Sequence, residues 1–377
     1  MTSALDRRTE FLAEACRLRS VTRANVLMDG SRPENSAEHS WHVALYAMVF
    51  GASDRAIAMI LIHDLVEIDT GDQPIHLEHD APALALAEAA AARRIFGLLP
   101  DAEDLAPLWA EFEAAGSVDA RAAKRMDHVQ PMLQVLQAAQ PLPDHVEIVR
   151  ENMERGRAAR LTEEWPEIMA AGRSLLADKP LPKGDLGRRL AFLAEADRLK
   201  GVERASRLID QSRRENSAEH SWHVALSALV LAPLAGPEID PGRVIRMLLI
   251  HDLVEIDVGD VPLHSAGGAA HGAPAVKAAE AAAARRIFGL LPPAQAEALL
   301  ALWQEFEHGV TADAAFARAL DRFQPALLNL CGGGHGWREF GVSLPILDER
   351  YGPAIKAASP ELWHWLRARL EVCPALA

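Results

Sequence analysis

The chain carries the same sequence twice, and no other feature restricts its fold as much. ENSAEHSWHVAL at Glu34–Leu45 returns at Glu215–Leu226. LIHDLVEID at Leu61–Asp69 returns at Leu249–Asp257, and both runs reach a Gly-Asp pair one residue later. AEAAAARRIFGLLP occurs at Ala87–Pro100 and Ala279–Pro292, and LWAEFE at Leu108–Glu113 comes back as LWQEFE at Leu302–Glu307. MDHVQPML around Asp127 has its echo in LDRFQPAL around Asp321. Glu34 maps to Glu215, an offset of 181, and Asp127 to Asp321, an offset of 194, so the insertions in the second copy are small. A unit of about 180 residues is far longer than a solenoid repeat and matches one whole domain. The copies are read as domains at 1–178 and 186–377, joined by the Pro- and Gly-containing stretch Leu176–Gly187. Beyond it, RRLAFLAEADRLK restarts the pattern of RRTEFLAEACRLR at Arg7–Arg19.

Apolar residues recur at helical spacing in Phe11, Leu12, Ala15 and Leu18, and again in Val43, Ala44, Ala47 and Met48. Ala87–Leu99 is rich in strong helix formers, and alternating β-branched runs are missing. Ser36 reads as a helix start, and Gly71 as the glycine closing a helix over Ile57–Asp69. The expected class is all-α: two tandem helical bundles related by pseudo-two-fold symmetry.

Composition narrows the partners. Thirty-nine basic against 53 acidic side chains give a formal charge of −14, which disfavours a nucleic acid polymer, whose affinity comes from phosphate neutralisation. A small phosphorylated ligand held through a metal stays open. Three scattered cysteines, Cys16, Cys331 and Cys373, form no disulfide framework and suggest a reducing compartment. The first residues mix charges and show no signal-peptide core, and the longest apolar stretches are too short or broken to span a bilayer. A cytoplasmic location and no membrane partner are the expectations.

The chemistry lies in an ordered set that also repeats. His39, His63-Asp64 and Asp127 return as His220, His251-Asp252 and Asp321. Two imidazoles and two carboxylates are ligands for a divalent ion, whose charge balances the two carboxylates. The HD pairs are flanked by Leu-Ile and Leu-Val, where an unpaired charge would be costly. Glu67 follows Asp64 by three residues and His63 by four, so on a helix all three share one face. That places a proton-transferring carboxylate beside the metal; Asp72 can reach the same cleft, and Glu255 and Asp260 repeat the pair. Trp41 and Trp222 read as core or cleft wall, His42 and His223 as residues behind the ligands or on a helix face, and Lys124 and Arg318 as phosphate partners or surface ion pairs.

These motifs resemble the HD-domain phosphohydrolases, and E-N-x-x-E-H followed by H-D-x-x-E-x-x-x-G-D looks like their 5′-deoxynucleotidase-like branch. The resemblance runs in both units from Phe11 and Phe192 to Asp127 and Asp321, and in the second unit through GGGHGWREFGVS and SPELWHWLRARL. The first unit reads QAAQPLPDHVEIVRENMERGR instead, which puts the closure of its cleft in question. The resemblance implies a helical bundle, one divalent metal per domain (Mn, Co, Mg, Zn or Fe) and hydrolysis of a phosphate monoester of a nucleotide or related metabolite. It implies metal ligands at His39, His63, Asp64, Asp127, His220, His251, Asp252 and Asp321. Glu67, Asp72, Glu255 and Asp260 would be catalytic, and Arg23 and Arg204 would bind substrate. VTRAN and VERAS lack the tryptophan that accompanies this arginine in characterised deoxynucleotidases, so a deoxyribose preference does not follow. A di-iron oxygenase on the same scaffold would need further histidines before the last Asp, and the chain repeats one, His76 and His264. A non-catalytic nucleotide-binding module is the reading from another class. Because single-unit relatives commonly form homodimers, the two tethered units are expected to pair internally as a monomer.

Overall fold

The computed structural model describes residues 3–100, 105–262 and 273–376. The first unit runs α1 (Ala4–Ala15), β1 (Thr22–Val26), β2 (Pro33–Asn35), α2 (Ser36–Val49), α3 (Asp54–Ile62) and α4 (Glu67–Thr70). It continues through α5 (Ala81–Phe96), α6 (Ala106–Ala114), α7 (Val118–Gln137), α8 (Pro143–Arg155), α9 (Leu161–Glu164) and α10 (Pro166–Leu176). The second unit repeats the order with α11 (Asp185–Ala196), β3 (Glu203–Arg207), β4 (Arg214–Asn216), α12 (Ser217–Leu231), α13 (Pro241–Ile250) and α14 (Glu255–Val258). Then come α15 (Pro274–Phe288), α16 (Pro293–His308) and α17 (Ala312–Cys331). A different ending follows: α18 (His335–Glu339), α19 (Leu344–Arg350), α20 (Gly352–Ala358) and α21 (Pro360–Glu371).

The class is all-α, with one small correction per unit. Two short antiparallel strands pair Thr22 with Asn35 and Val26 with Pro33, and Glu203 with Asn216 and Arg207 with Arg214. Strands of three to five residues carry too little alternation to be read from sequence. A second correction concerns the helix over Ile57–Asp69. It is interrupted at His63–Val66, which forms a 3-10 turn between α3 and α4, and Gly71 then closes the segment with φ of 71°.

The helix start at Ser36 is built by the residue before it. Asn35 accepts from the backbone N–H of Ala37 and Glu38, both at 3.0 Å, and Glu38 accepts from the N–H of Asn35 at 2.7 Å. This capping box satisfies the first helical donors, and Asn216 with Glu219 repeats it. Every residue of α2 is buried, so the helix needs a neighbour on all sides. Helices α3 and α7 cover it within its own unit, and α12 covers it from the other.

The contacts between the units come in exchanged pairs. Trp41 donates its indole N–H to the carbonyl of Leu249 at 3.0 Å, and Trp222 donates to Leu61 at 3.0 Å. Asn35 donates to Glu219 and Asn216 to Glu38, each at 2.8 Å. His42 meets the carbonyl of Leu193, and His223 that of Leu12, each at 2.9 Å. Such reciprocity is the mark of a two-fold contact and supports the internal pseudo-dimer. Trp41 and Trp222 are therefore core, as one of their two readings has it, and not cleft wall; His42 and His223 lie on the helix face that meets the opposite unit rather than behind the ligands.

With α2 and α12 burying each other, neither unit keeps its core when the other unfolds. The chain should melt in one calorimetric transition with equal van't Hoff and calorimetric enthalpies. It should also scatter light as a 41.0 kDa monomer. Two resolved transitions would contradict the shared core.

Candidate metal centres

Each unit gathers its four candidate ligands at the middle of the bundle. His39 stands in the second turn of α2, His63 and Asp64 open the 3-10 turn after α3, and Asp127 lies midway along α7. Nε2 of His39 is 3.2 Å from Oδ1 of Asp127 and 3.9 Å from Oδ2 of Asp64. Nε2 of His63 is 3.0 Å from Oδ1 of Asp64 and 3.6 Å from Oδ1 of Asp127. The second unit repeats the figure: His220 lies 3.2 Å from Asp321 and 3.8 Å from Asp252, and His251 lies 3.2 Å from Asp252 and 3.6 Å from Asp321.

The local fold aims these atoms. His63 Nδ1 meets the carbonyl of Ile60 at 2.7 Å and His251 Nδ1 that of Leu248 at 2.8 Å. Since a carbonyl only accepts, Nδ1 carries the proton and Nε2 presents its lone pair to the cluster. Both Nε2 atoms are buried and make no hydrogen bond among the described residues. Pro131 and Pro325 follow Asp127 and Asp321 by four residues, so the backbone carbonyl of each ligand loses its helical donor at a bend.

The donor set fits a divalent cation, on two grounds. The first is the pair of orphaned, correctly tautomerised imidazole nitrogens; the second is the excess of acid around them. Burial and Arg23 both oppose a proton on His39, yet Asp127 and Glu34 outweigh them and push its pKa up to about 9. His220 is pushed up to about 9 in the same way, against burial and Arg204, by Asp321 and Glu215. Asp127 is held well below the usual carboxylate range despite its burial, through His39 and His63. The protein groups thus keep protons where a divalent cation's charge belongs, and a cation binds by displacing them.

A guanidinium neutralises the carboxylates beside the cluster. Arg23, on β1, places NH1 2.9 Å from Asp64, 3.5 Å from Glu67 and 3.4 Å from Asp72. Arg204 on β3 stands 2.6 Å from Asp252, 3.4 Å from Glu255 and 3.9 Å from Asp260. Glu67 is fixed from its other side by Ser36, which donates to Oε2 at 2.5 Å, and Ser217 holds Glu255 likewise. Burial, then the neighbouring Asp64, pushes the Glu67 carboxyl up to about 8; burial and Asp252 push Glu255 well above its usual range.

The remaining residues singled out by sequence fall outside the clusters. Lys124 pairs with Glu113 at 3.2 Å and lies over the ring of Phe112. Arg318 donates to the carbonyls of Phe306 and Glu307, though it also lines the second cleft. His76 is exposed on the loop after Gly71, where it lines the first cleft, and joins no donor cluster among the described residues; His264 lies outside the described residues. The first unit's different ending does not leave its cleft open. His145, Ile148, Val149 and Asn152 of α8, with Arg157, line it, as Trp337, Phe340 and Tyr351 line the second. The cavities are comparable, about 180 and 140 Å³, so the first has not collapsed.

Glu34 and Glu215 were not singled out, although each opens the repeated ENSAEH. They are fully buried behind His39 and His220, with a carboxylate oxygen 3.4 Å from Nδ1 of each ring. A histidine ligand depends on such a partner for its orientation.

The HD domain profile matches this chain twice, over residues 15–169 and 196–363, and the chain belongs to the HD domain family. Among curated proteins it is 30% identical to a human 5′-deoxynucleotidase over 132 residues, 33% of this chain and 65% of that protein. It is also 30% identical to a Xenopus laevis 5′-deoxynucleotidase over 146 residues, 37% of this chain and 66% of that protein. The chain thus spans just under two thirds of the length of these relatives. A solved structure from Magnetospirillum magnetotacticum, described as a predicted metal-dependent phosphohydrolase, shares 46% identity across 50% of this chain and 95% of its own, with a TM-score of 0.47.

Removing the guanidinium should leave several buried carboxylates without a counter-charge. Arg23→Met and Arg204→Met are each expected to cost about 3–5 kcal/mol in urea unfolding of metal-stripped protein. A loss below about 1 kcal/mol, the range of an exposed ion pair, would contradict the neutralising role.

Proposed function

We propose that the chain is a metal-dependent phosphohydrolase acting on phosphate monoesters of nucleotides or a related small metabolite, with one divalent cation in each domain. The observation that carries this reading is the cluster of two histidines and two aspartates, present twice, each with a buried glutamate beside it. The names of the curated relatives, 5′-deoxynucleotidases, point to the same substrate class.

His39, His63, Asp64 and Asp127 would hold the cation in the first domain, and His220, His251, Asp252 and Asp321 in the second. When bound, the cation supplies positive charge against the phosphoryl oxygens and a nucleophilic water at neutral pH. Arg23 and Arg204 line the clefts and face the same side as the carboxylates, where they bind the phosphate of the substrate. Glu67 and Glu255 manage the proton. Oε2 is engaged by Ser36 or Ser217, so Oε1, on the side of the arginine, is the atom that carries the proton, which these raised carboxyls hold near neutral pH and give to the departing oxygen as its bond to phosphorus breaks. Asp72 and Asp260 keep the arginine in place; Asp260 is itself fixed by the backbone N–H of Ala205 at 3.1 Å.

The two clefts differ in what they offer the rest of the substrate. The residue after the last ligand is Arg322 in the second domain and His128 in the first. Trp337, Phe340 and Tyr351 give the second cleft aromatic groups, whereas the first has Met132, Ile148 and Val149. Arg157 gives the first cleft a cation as well, so the difference lies in the aromatic faces, which suit a nucleoside and make the second domain the better nucleotidase.

Chelation should abolish phosphatase activity on a nucleotide panel, and Mn²⁺ or Co²⁺ should restore it. Full activity in exhaustively metal-free protein would remove the mechanism; O₂ consumption with two irons per domain would establish the oxygenase instead. Asp252→Ala should cost more nucleotidase activity than Asp64→Ala, and equal losses would show that the aromatic cleft confers no advantage. In an Asp64→Ala background, which leaves the second centre alone, Glu255→Gln should lower kcat about 10²- to 10⁴-fold while KM changes little. An unchanged kcat would free Glu255 from the chemistry.

A further inference from the structure

Each centre has a support that comes from the other half of the chain. Oε2 of Glu34 lies 3.4 Å from Nδ1 of His39, while Oε1 accepts a 2.7 Å hydrogen bond from Nζ of Lys200. Lys200 belongs to the second unit, in the 3-10 turn Asp197–Gly201, and is 1% exposed. It also donates to Asp197 at 2.5 Å, Gln134 at 2.9 Å and Nδ1 of His42 at 3.0 Å. The equivalent residue of the first unit is Arg19, in the turn Cys16–Ser20 and likewise 1% exposed. Its NH1 lies 3.2 Å from Oε2 of Glu215, whose Oε1 is 3.4 Å from Nδ1 of His220. In both directions the order is histidine ligand, buried glutamate, cation of the opposite unit.

A buried carboxylate that loses its partner is free to turn away, and a displaced glutamate no longer orients the imidazole behind the metal. We propose that Lys200 and Arg19 are positioning residues supplied across the domain interface, Lys200 locking Glu34 and through it His39, and Arg19 locking Glu215 and through it His220. Neither touches the donor cluster. The proposal rests on the metal centres assigned above. It also makes the two centres unequal. The second centre has a further brace in Gln324, which donates to Oε2 of Glu215 at 3.1 Å and whose Oε1 lies 3.1 Å from Nδ1 of His220 itself, and Arg19 contributes an ion pair with no hydrogen bond among the described residues. Arg23 and Arg204 of the same unit also lie near these glutamates, Nε of Arg23 3.9 Å from Glu34 and Nε of Arg204 3.5 Å from Glu215, so Glu34 has the more distant second cation and depends more heavily on its hydrogen bond from Lys200.

The test is a Mn²⁺ titration of the full chain followed by electron paramagnetic resonance, in two backgrounds that leave one centre each. Asp252→Ala keeps the first centre and Asp64→Ala the second. Lys200→Met should raise the Kd of the first centre about 10- to 100-fold and leave the second unchanged. Arg19→Met should do the reverse, with a smaller rise. Lys200→Arg, the residue the first unit uses at this place, should recover most of the affinity. The double variant Glu34→Gln/Lys200→Met removes the Glu34 charge together with its partner, so that Asp197 is the one carboxylate paired with Lys200 that remains, and guards against a failure to fold. It should bind Mn²⁺ as weakly as Lys200→Met, because both cut the same link. Unchanged affinity in Lys200→Met, equal weakening of both centres, or recovery in the double variant would overturn the proposal. Unsubstituted protein that binds no Mn²⁺ would instead refute the metal centres themselves, and this inference with them.

Discussion

The structure depends on the mutual burial of two copies of one helix. Every residue of α2 and all but Leu229 of α12 are buried, and each helix covers the side of the other that its own unit leaves open. The same twelve-residue segment carries the cap, the glutamate behind the ligand, the first ligand histidine and the tryptophan that crosses to the other unit. Folding the interface and building the centre are therefore one event. A shift of α2 against α12 would break the Trp41 and Trp222 hydrogen bonds and move His39 and His220 off their aspartates.

Electrostatics explains why the arrangement tolerates so much buried acid. In the first unit Glu34, Asp64, Glu67 and Asp72 surround one guanidinium, and Glu34 reaches a second cation from across the interface. Burying charges this way is costly unless each finds a partner, and the pairing here is dense. It leaves one demand that protein groups meet only with protons, at the histidines between the aspartates. A divalent cation would answer that demand, its charge balancing the two aspartates.

Much of this was legible because the chain states it twice. The repeat marks the units, and a His, His-Asp, Asp order kept over both copies singles out residues that the fold does bring within 4 Å. What could not be read has a common physical cause: it depends on the relation between the copies. His42 reads as a residue behind a candidate ligand or on a helix face, and Trp41 as core or cleft wall, but only the packed pair shows that both point into the other unit. Lys200 looks like a surface lysine at a helix end, and its burial is visible only once α2 lies against the turn that holds it. Glu34 resembles an ordinary polar residue ahead of a helix. The 3-10 turn at His63–Val66 escaped because its sequence is as helical as its neighbours', and the strands because they are too short to show a period. The first unit's divergent ending suggested an open cleft, whereas α8 closes it with unrelated side chains.

The central claim is that the chain holds two metal centres of one design, back to back. Anomalous diffraction from crystals grown with Mn²⁺ tests it most directly. The account requires two peaks per chain, one bounded by His39, His63, Asp64 and Asp127 and the other by His220, His251, Asp252 and Asp321. A chain with no peak at either cluster, or with its metal bound elsewhere, would contradict it.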